Sequence, residues 1–469
     1  AELFDEAGAG PSAPPETGPL APPGNWPVGI PRNRELRLTQ QRPRTSAAPP
    51  EHRAAHPAEH DPPTPKPITD DQEEPMPTPL SVAVIGAGMA GTTHANAWRQ
   101  VGTVYDLGLP PIRLATIADT YQSAAEDAAA RYGYASATTS WRSIAADPTI
   151  DIVSIVVGNA LHLEIAAAMI KAGKHVLCEK PLADTLEAGR EMARLEAAHP
   201  EVVTAVGFTY RRNASLAKIA ELATTGNLGE VVHFDGRYWC DYGTDPTTPI
   251  AWRYKGPMGS GALGDLGSHL IDAAELICGP LVSVSGAAMT TAIKQRPAAT
   301  GYVTRGTASA GEGTAMEDVE NDDVATFTGR FASGAVGTFS CSRVAWGLPN
   351  SFMVDVLGTK GRAAWDLARC GEITVDDTTS PAGLGGPRRV LANPGFPYFA
   401  RGSSMAFGGV GLTQIEQFTY QAHAFLQQVA GVEGLPPCAT FADGYREMLI
   451  MDAIARSAEA GGARVDLSF

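Results

Sequence analysis

Positive charge is scarce in this chain: 36 Lys and Arg stand against 51 Asp and Glu over 469 residues, a formal net charge of −15. Nucleic acid and anionic membrane surfaces need clustered cations, so neither is expected as a partner. A small, largely uncharged ligand suits the balance better. Long apolar runs are also missing. None approaches the roughly eighteen residues that a spanning helix requires, and no charged, apolar and small-residue leader is readable at the start, so the cytoplasm is the expected compartment. The six cysteines, at 178, 240, 278, 341, 370 and 438, include no C-x-x-C pair. That argues against a disulfide framework or a structural zinc site and predicts free, mostly buried thiols. With 44% hydrophobic and 19% charged residues, the chain is ordinary globular material with room for two cores.

Proline is abundant but uneven, since nineteen of the 36 lie within residues 1–79. That segment has almost no apolar periodicity and cannot bury a core, so a disordered tail is expected there. His52, His56 and His60 have helical spacing, but Pro57 interrupts them and no further ligand types accompany them, so no metal site is expected. No methionine precedes Met76, and the tail reads as an accessory to a domain that starts with the next strand.

Leu80–Ile85 is an apolar run ending in Gly86, Ala87, Gly88, Met89, Ala90 and Gly91, followed by a helical stretch. This is strand, glycine turn, helix. The first glycine allows the tight turn, the second allows backbone to approach a pyrophosphate, and the third allows helix to pack on strand. Ile112–Ala118 forms the next strand, and Asp119 at its end stands where a carboxylate bonds ribose hydroxyls. No cation follows in Thr120, Tyr121 and Gln122, so NAD is expected over NADP. Asp119 also fits as a helix N-cap.

The alternation continues through helices at Ser123–Tyr132 and Trp141–Ala146 and a strand at Ile150–Val157. Gly158, Asn159 and His162 follow it on the same rim. After one more helix, the strand ending at Cys178 runs into Glu179, Lys180 and Pro181. In parallel sheets ligands sit beyond the carboxyl ends of strands, and Pro181 keeps Lys180 extended, with a cis bond open to it. Lys180 is therefore expected to face the cleft. Helix Leu186–Ala198 and strand Val202–Phe208 complete the pattern, and Tyr210, Arg211, Arg212 and Asn213 leave the sheet.

From about residue 214 the pattern changes to one helix and then strand-like alternations at 231–239, 281–287, 323–331, 334–343 and 351–357, which predict a mostly antiparallel sheet. Residues 295–321 read as a long loop, and 413–432 and 442–459 as helices. Within this half, glycines lead to Asp265 and, four residues on, His269. On one α-helix face the carboxylate would orient the imidazole, as a general base requires. An N-cap Asp265 beside a satisfied histidine is the plainer alternative.

With the glycine turn, the 159–162 rim, Glu179-Lys180-Pro181 and the Asp265–His269 segment in this order, residues 80–469 resemble the Gfo/Idh/MocA oxidoreductases. Tyr238, Trp239, Cys240 and Asp241, with Trp252 and Arg253, look closest to the branch holding levoglucosan and inositol dehydrogenases. Gly158 departs from the proline usual before Asn in that family. The resemblance implies an α/β fold: a Rossmann domain over residues 80–210, then an α+β substrate and oligomerisation domain over residues 211–469 with a large, mostly antiparallel open sheet. It implies NAD-dependent oxidation of a secondary ring hydroxyl of a sugar, anhydrosugar or cyclitol by a homo-oligomer. Lys180, Asp265 and His269 are then the catalytic set, with His269 as base, Asp265 as its orienter and Lys180 polarising the alcohol oxygen. The cofactor set is Gly86, Gly88, Met89, Ala90, Gly91, Asp119, Asn159, His162, Glu179, Lys180 and Arg212. The substrate set is Tyr238, Trp239, Trp252, Arg253, Asp265 and His269. A redox-neutral glycosidase that keeps its NAD and a non-catalytic NAD-binding regulator are the alternatives.

Overall fold

Six short runs, nearly all of them apolar, pair side by side in a parallel sheet: β1 (Leu80–Ile85), β2 (Ile112–Ala118), β3 (Ser136–Thr138), β4 (Ile152–Ile155), β5 (His175–Cys178) and β6 (Thr204–Val206). Their order is β3-β2-β1-β4-β5-β6. Helices α1 (Met89–Gln100), α2 (Gln122–Tyr132), α3 (Trp141–Ala146), α4 (His162–Lys171) and α5 (Leu186–Ala198) alternate with the strands. Val82, Val84, Ile152, Val153, Val176 and Leu177 are all buried, as strands covered on both faces require. The order reverses between β1 and β4, and a cleft opens at that switch point. The computed structural model describes residues 78–105, 108–256, 260–299, 314–379, 381, 383–399 and 405–469. The tail expected at 1–79 and its histidines lie, but for residues 78 and 79, outside the described residues.

After α6 (Ala214–Thr224) the chain builds a nine-stranded sheet around β7 (Val231–Trp239). Its other strands are β8 (Leu281–Thr290), β11 (Val324–Phe331), β12 (Val336–Ser342), β13 (Ser351–Gly358), β14 (Gly361–Asp366), β15 (Glu372–Asp377), β16 (Arg388–Leu391) and β17 (Val465–Asp466). β7 pairs antiparallel with β13 and parallel with β12, so the sheet is mixed although mostly antiparallel. The loop expected over 295–321 is corrected at both ends. There β9 (Gln295–Pro297) and β10 (Met316–Asp318) pair antiparallel, around a fully buried Arg296 that local sequence does not mark as a strand residue.

Helix α7 (Ser268–Cys278) lies against β7, preceded by a π-helical turn at Leu263–Gly267. Helix α8 (Gln414–Ala430) packs on α1, and α9 (Phe441–Glu459) packs on α5 and β8. The start of α9 is fixed by a capping box: the Asp443 amide donates to Thr440 Oγ1 at 3.0 Å, and the Thr440 amide donates to Asp443 Oδ2 at 2.9 Å. All six cysteines are free, and five are buried. Among the described residues no helix is long and apolar enough to cross a membrane.

Candidate active site

A cleft of about 470 Å3 runs from the glycine turn to the start of α7, within the range of small-molecule and cofactor pockets. Gly86 has φ +107°, and a Cβ there would stand 2.0 Å from the Val156 carbonyl oxygen. Gly91 is as constrained, because its Cβ would lie 1.9 Å from the Gly86 carbonyl oxygen. The turn is therefore a close-packed backbone cradle whose positions 86 and 91 admit only glycine. At the end of β2, Asp119 accepts hydrogen bonds from the Ala87 amide at 2.7 Å and the Tyr121 amide at 2.9 Å. The carboxylate is thereby fixed beside the cradle. These features fit a dinucleotide: backbone at the pyrophosphate position and a carboxylate at the ribose position.

Lys180 leaves β5 through a cis peptide bond to Pro181 and enters the cleft. Its Nζ donates to the Asp265 carbonyl at 2.8 Å and to Asp265 Oδ1 at 3.1 Å. Two of three ammonium hydrogens are thus directed at one residue, and with no further partner of Nζ among the described residues one is left for a ligand. Asp265 Oδ2 accepts from Tyr242 Oη at 2.8 Å and stands 3.5 Å from Arg253 Nε. Burial alone would raise the Asp265 carboxyl, but Lys180, Arg253 and the Tyr242 hydroxyl together hold it well below the usual carboxylate range. Burial and the Asp265 charge push the Tyr242 hydroxyl well up, so it remains a donor.

His269 lines the same cleft, with Tyr210 edge-on to its ring at 4.8 Å. Burial and the Lys180 charge hold its ionisation well below the ordinary histidine value, against the opposing pull of Asp265. The imidazole is thereby held in its neutral form. The expectation that Asp265 orients His269 is corrected, because both Asp265 oxygens are used by Lys180, Tyr242 and Arg253 while the buried His269 Nδ1 has no hydrogen-bond partner among the described residues. The cause is local. Asp265 sits in a π-helical turn before α7, so the four-residue spacing of an α-helix does not set its direction relative to His269.

The cleft also brings together Gly86, Gly88, Met89, Ala90, Gly91, Asp119, Glu179, Tyr238, Trp252 and Arg253. Glu179 is pinned by His94 Nε2 at 3.0 Å, and Gly207 leaves it room, since a Cβ there would stand 2.4 Å from Glu179 Oε1. Four expected residues do not line the cleft. Asn159 is buried under the rim. His162 is buried with Nδ1 3.1 Å from the Leu182 carbonyl and Nε2 3.2 Å from the Val157 carbonyl, which is a packing role. Arg212 is buried and donates to the Pro436 carbonyl at 2.8 Å. Trp239 stacks with Arg237 on the sheet face opposite Tyr238, as the two-residue period of a strand requires.

Sequence reasoning missed Tyr242, Gln414, Phe418 and Trp141. Gln414 and Phe418 reach the cleft from α8, more than 200 residues from Lys180, and no local pattern announces them. Gln414 belongs to a ring of hydrogen bonds: its Nε2 donates to Tyr210 Oη at 2.9 Å, the Tyr210 and Tyr238 hydroxyls are 3.0 Å apart, Tyr238 Oη donates to Asn350 Oδ1 at 2.9 Å, and Asn350 Nδ2 donates to Gln414 Oε1 at 3.1 Å. That ring stands behind His269 and fixes the cleft wall.

A dinucleotide cradle at a Rossmann switch point, opening onto a lysine–aspartate pair and a neutral histidine, defines a nicotinamide-dependent oxidoreductase. The chain belongs to the Gfo/Idh/MocA family. The oxidoreductase family model with NAD-binding Rossmann fold matches residues 80–208, and the GFO/IDH/MocA C-terminal domain model matches residues 216–364. A levoglucosan dehydrogenase from Pseudarthrobacter phenanthrenivorans is 36% identical over 383 residues, covering 81% of this chain and 96% of that protein. The solved structure of levoglucosan dehydrogenase with NADH and levoglucosan superposes with a TM-score of 0.73 at 32% identity, over 83% of this chain and 99% of that one. A scyllo-inositol 2-dehydrogenase (NADP(+)) from Bacillus subtilis is 28% identical over 44% of this chain and 54% of its own length.

Proposed function

We propose that this chain is a dehydrogenase that oxidises a secondary ring hydroxyl of a sugar, anhydrosugar or cyclitol to a ketone, with NAD preferred over NADP and levoglucosan as the first candidate substrate. The observation that carries the reading is the Lys180 ammonium tied to Asp265 within the cleft that also exposes a neutral His269. NAD, when bound, supplies the hydride acceptor.

The residues divide the remaining work. Gly86 makes the tight turn, Gly88 brings backbone close to the pyrophosphate, Gly91 lets helix α1 pack against the turn, and Asp119 receives ribose hydroxyls. The free donor of Lys180 stabilises the oxyanion that develops on the substrate oxygen. His269, kept neutral, takes the hydroxyl proton. Asp265, itself fixed by the Tyr242 hydroxyl, holds Lys180 in place, and Trp252 with Arg253 stacked on it at 4.4 Å offers a flat face and forked donors to a polyol. The fixed Asp119 carboxylate disfavours a 2′-phosphate. The proposal takes the protein to be cytoplasmic, which fractionation checks, and a homo-oligomer, which sedimentation analysis checks. Screening anhydrosugars, sugars and inositols for NADH formation tests the activity, with a lack of turnover on the whole panel counting against it.

A further inference from the structure

Asn321, Asp322 and Asp323 are consecutive and buried. Their side chains reach two separate segments, one carrying Arg253 and the other carrying Asp265. Asn321 Nδ2 stands 3.1 Å from the Arg253 carbonyl, 3.4 Å from that of Lys255, 3.1 Å from that of Gly256 and 2.9 Å from Ser260 Oγ. Its Oδ1 accepts from Arg343 Nη2 at 2.8 Å, so the amide is oriented with its donors toward the loop. Arg343 donates Nη1 to the same Arg253 carbonyl at 2.7 Å and lies over the Tyr254 ring at 4.5 Å. Arg343 is held in turn by Asp323, Nε to Oδ1 at 2.7 Å.

Asp322 holds the second segment. Its Oδ2 accepts from the Leu263 amide at 2.9 Å and its carbonyl accepts from the Ala262 amide at 2.9 Å. Gly261 makes this approach possible, since a Cβ there would lie 1.9 Å from Asp322 Oδ1. Leu263 opens the π turn that carries Asp265. A buried ion pair such as Arg343–Asp323 gains little over apolar packing in stability. Its satisfied hydrogen bonds do restrict the surroundings to one geometry.

We propose that Asn321 is a positioning residue for substrate: with Arg343 it fixes the backbone of Arg253, while its neighbour Asp322 fixes the turn of Asp265, so one short segment sets the separation of the two charges that face the sugar. This rests on the reading of the site given under Proposed function. Misplacing a substrate-orienting group by about 1 Å can cost on the order of a hundredfold in rate.

The test compares full-length Asn321→Ser, Arg253→Ala and the double variant. Hydrogen exchange is expected to quicken at the Tyr254 and Lys255 amides in Asn321→Ser and to stay unchanged in β1, β4 and β5, with NADH affinity retained. With levoglucosan as probe, kcat/KM is expected to fall about tenfold or more in Asn321→Ser, and much less when Arg253 is already Ala. Unchanged exchange at 254 and 255 overturns the inference whatever the substrate is, and so do losses that simply multiply in the double variant. If the wild type oxidises no sugar, the proposed activity fails while the exchange result still decides the positioning. If Asn321→Ser does not fold, Asn321→Gln, which keeps the amide on a longer stem, is measured the same way.

Discussion

Lys180 and Asp265 come from different sheets' surroundings, 85 residues apart, and meet with Nζ 2.8 Å from the Asp265 carbonyl and 3.1 Å from its Oδ1. Both residues line the cleft. Asp265→Asn keeps the shape and removes the charge that holds the ammonium. Turnover is expected to fall by about a hundredfold or more, the scale of losing a preorganised electrostatic contact, while NADH binding followed by fluorescence changes little. A loss of NADH binding equal to the loss of rate would place Asp265 at the cofactor instead.

His269 makes a pH prediction. Its ionisation is depressed by burial and by Lys180, so the neutral form that accepts a proton persists below the ordinary value of about 6.5. The kcat/KM of oxidation should therefore show no inflection near pH 6.5 and should decline only in more acidic solution. His269→Ala is expected to lose about a hundredfold. An ionisation that persists in His269→Ala and vanishes in Lys180→Met would assign the proton to Lys180.

Asp119 predicts cofactor choice. With its carboxylate fixed by the Ala87 and Tyr121 amides, Asp119→Ser should narrow the NAD to NADP ratio of kcat/KM by about tenfold, equivalent to roughly 1.4 kcal/mol. An unchanged ratio would mean that another group reads the ribose.

Two glycines on the same cleft should respond in opposite ways. Gly86→Ala meets the Val156 carbonyl at 2.0 Å and a φ of +107°, a conformation that alone costs about 1–3 kcal/mol for other residues. NADH binding and stability should both fall. Gly158 has φ −63° and room for a Cβ, which would meet the Trp252 ring at 3.8 Å. Gly158→Ala should stabilise by about 0.4–1 kcal/mol through the unfolded chain. Denaturation midpoints and NADH titrations check both.

Much of this architecture was legible in the residues. The parallel sheet announced itself because strands buried on both faces are apolar runs, and β1, β2 and α5 match their expected limits. Lys180 was placed in the cleft by a proline after a strand. The pairing of Asp265 with His269 was misread because nothing in the sequence marks a π turn, so α-helical spacing was the only guide. Trp239 and Tyr238 were both assigned to substrate, although the period of a strand allows only one of two neighbours to face inward. The strands β14 to β17 escaped notice: β16 and β17 are short edges of the sheet, and the alternation of β14 and β15 is brief enough that their pairing is set by neighbours. Gln414, Tyr242 and Asn321 act through long-range contacts, for which no local spacing exists.

The most direct test of the account is the absorbance of NADH during incubation of the enzyme with NAD and levoglucosan, run beside Lys180→Met. The account predicts sustained NADH formation with a ketosugar product in the wild type and a loss of about a hundredfold or more in the variant. Consumption of a glycoside with no net NADH, or equal rates in wild type and Lys180→Met, would contradict it.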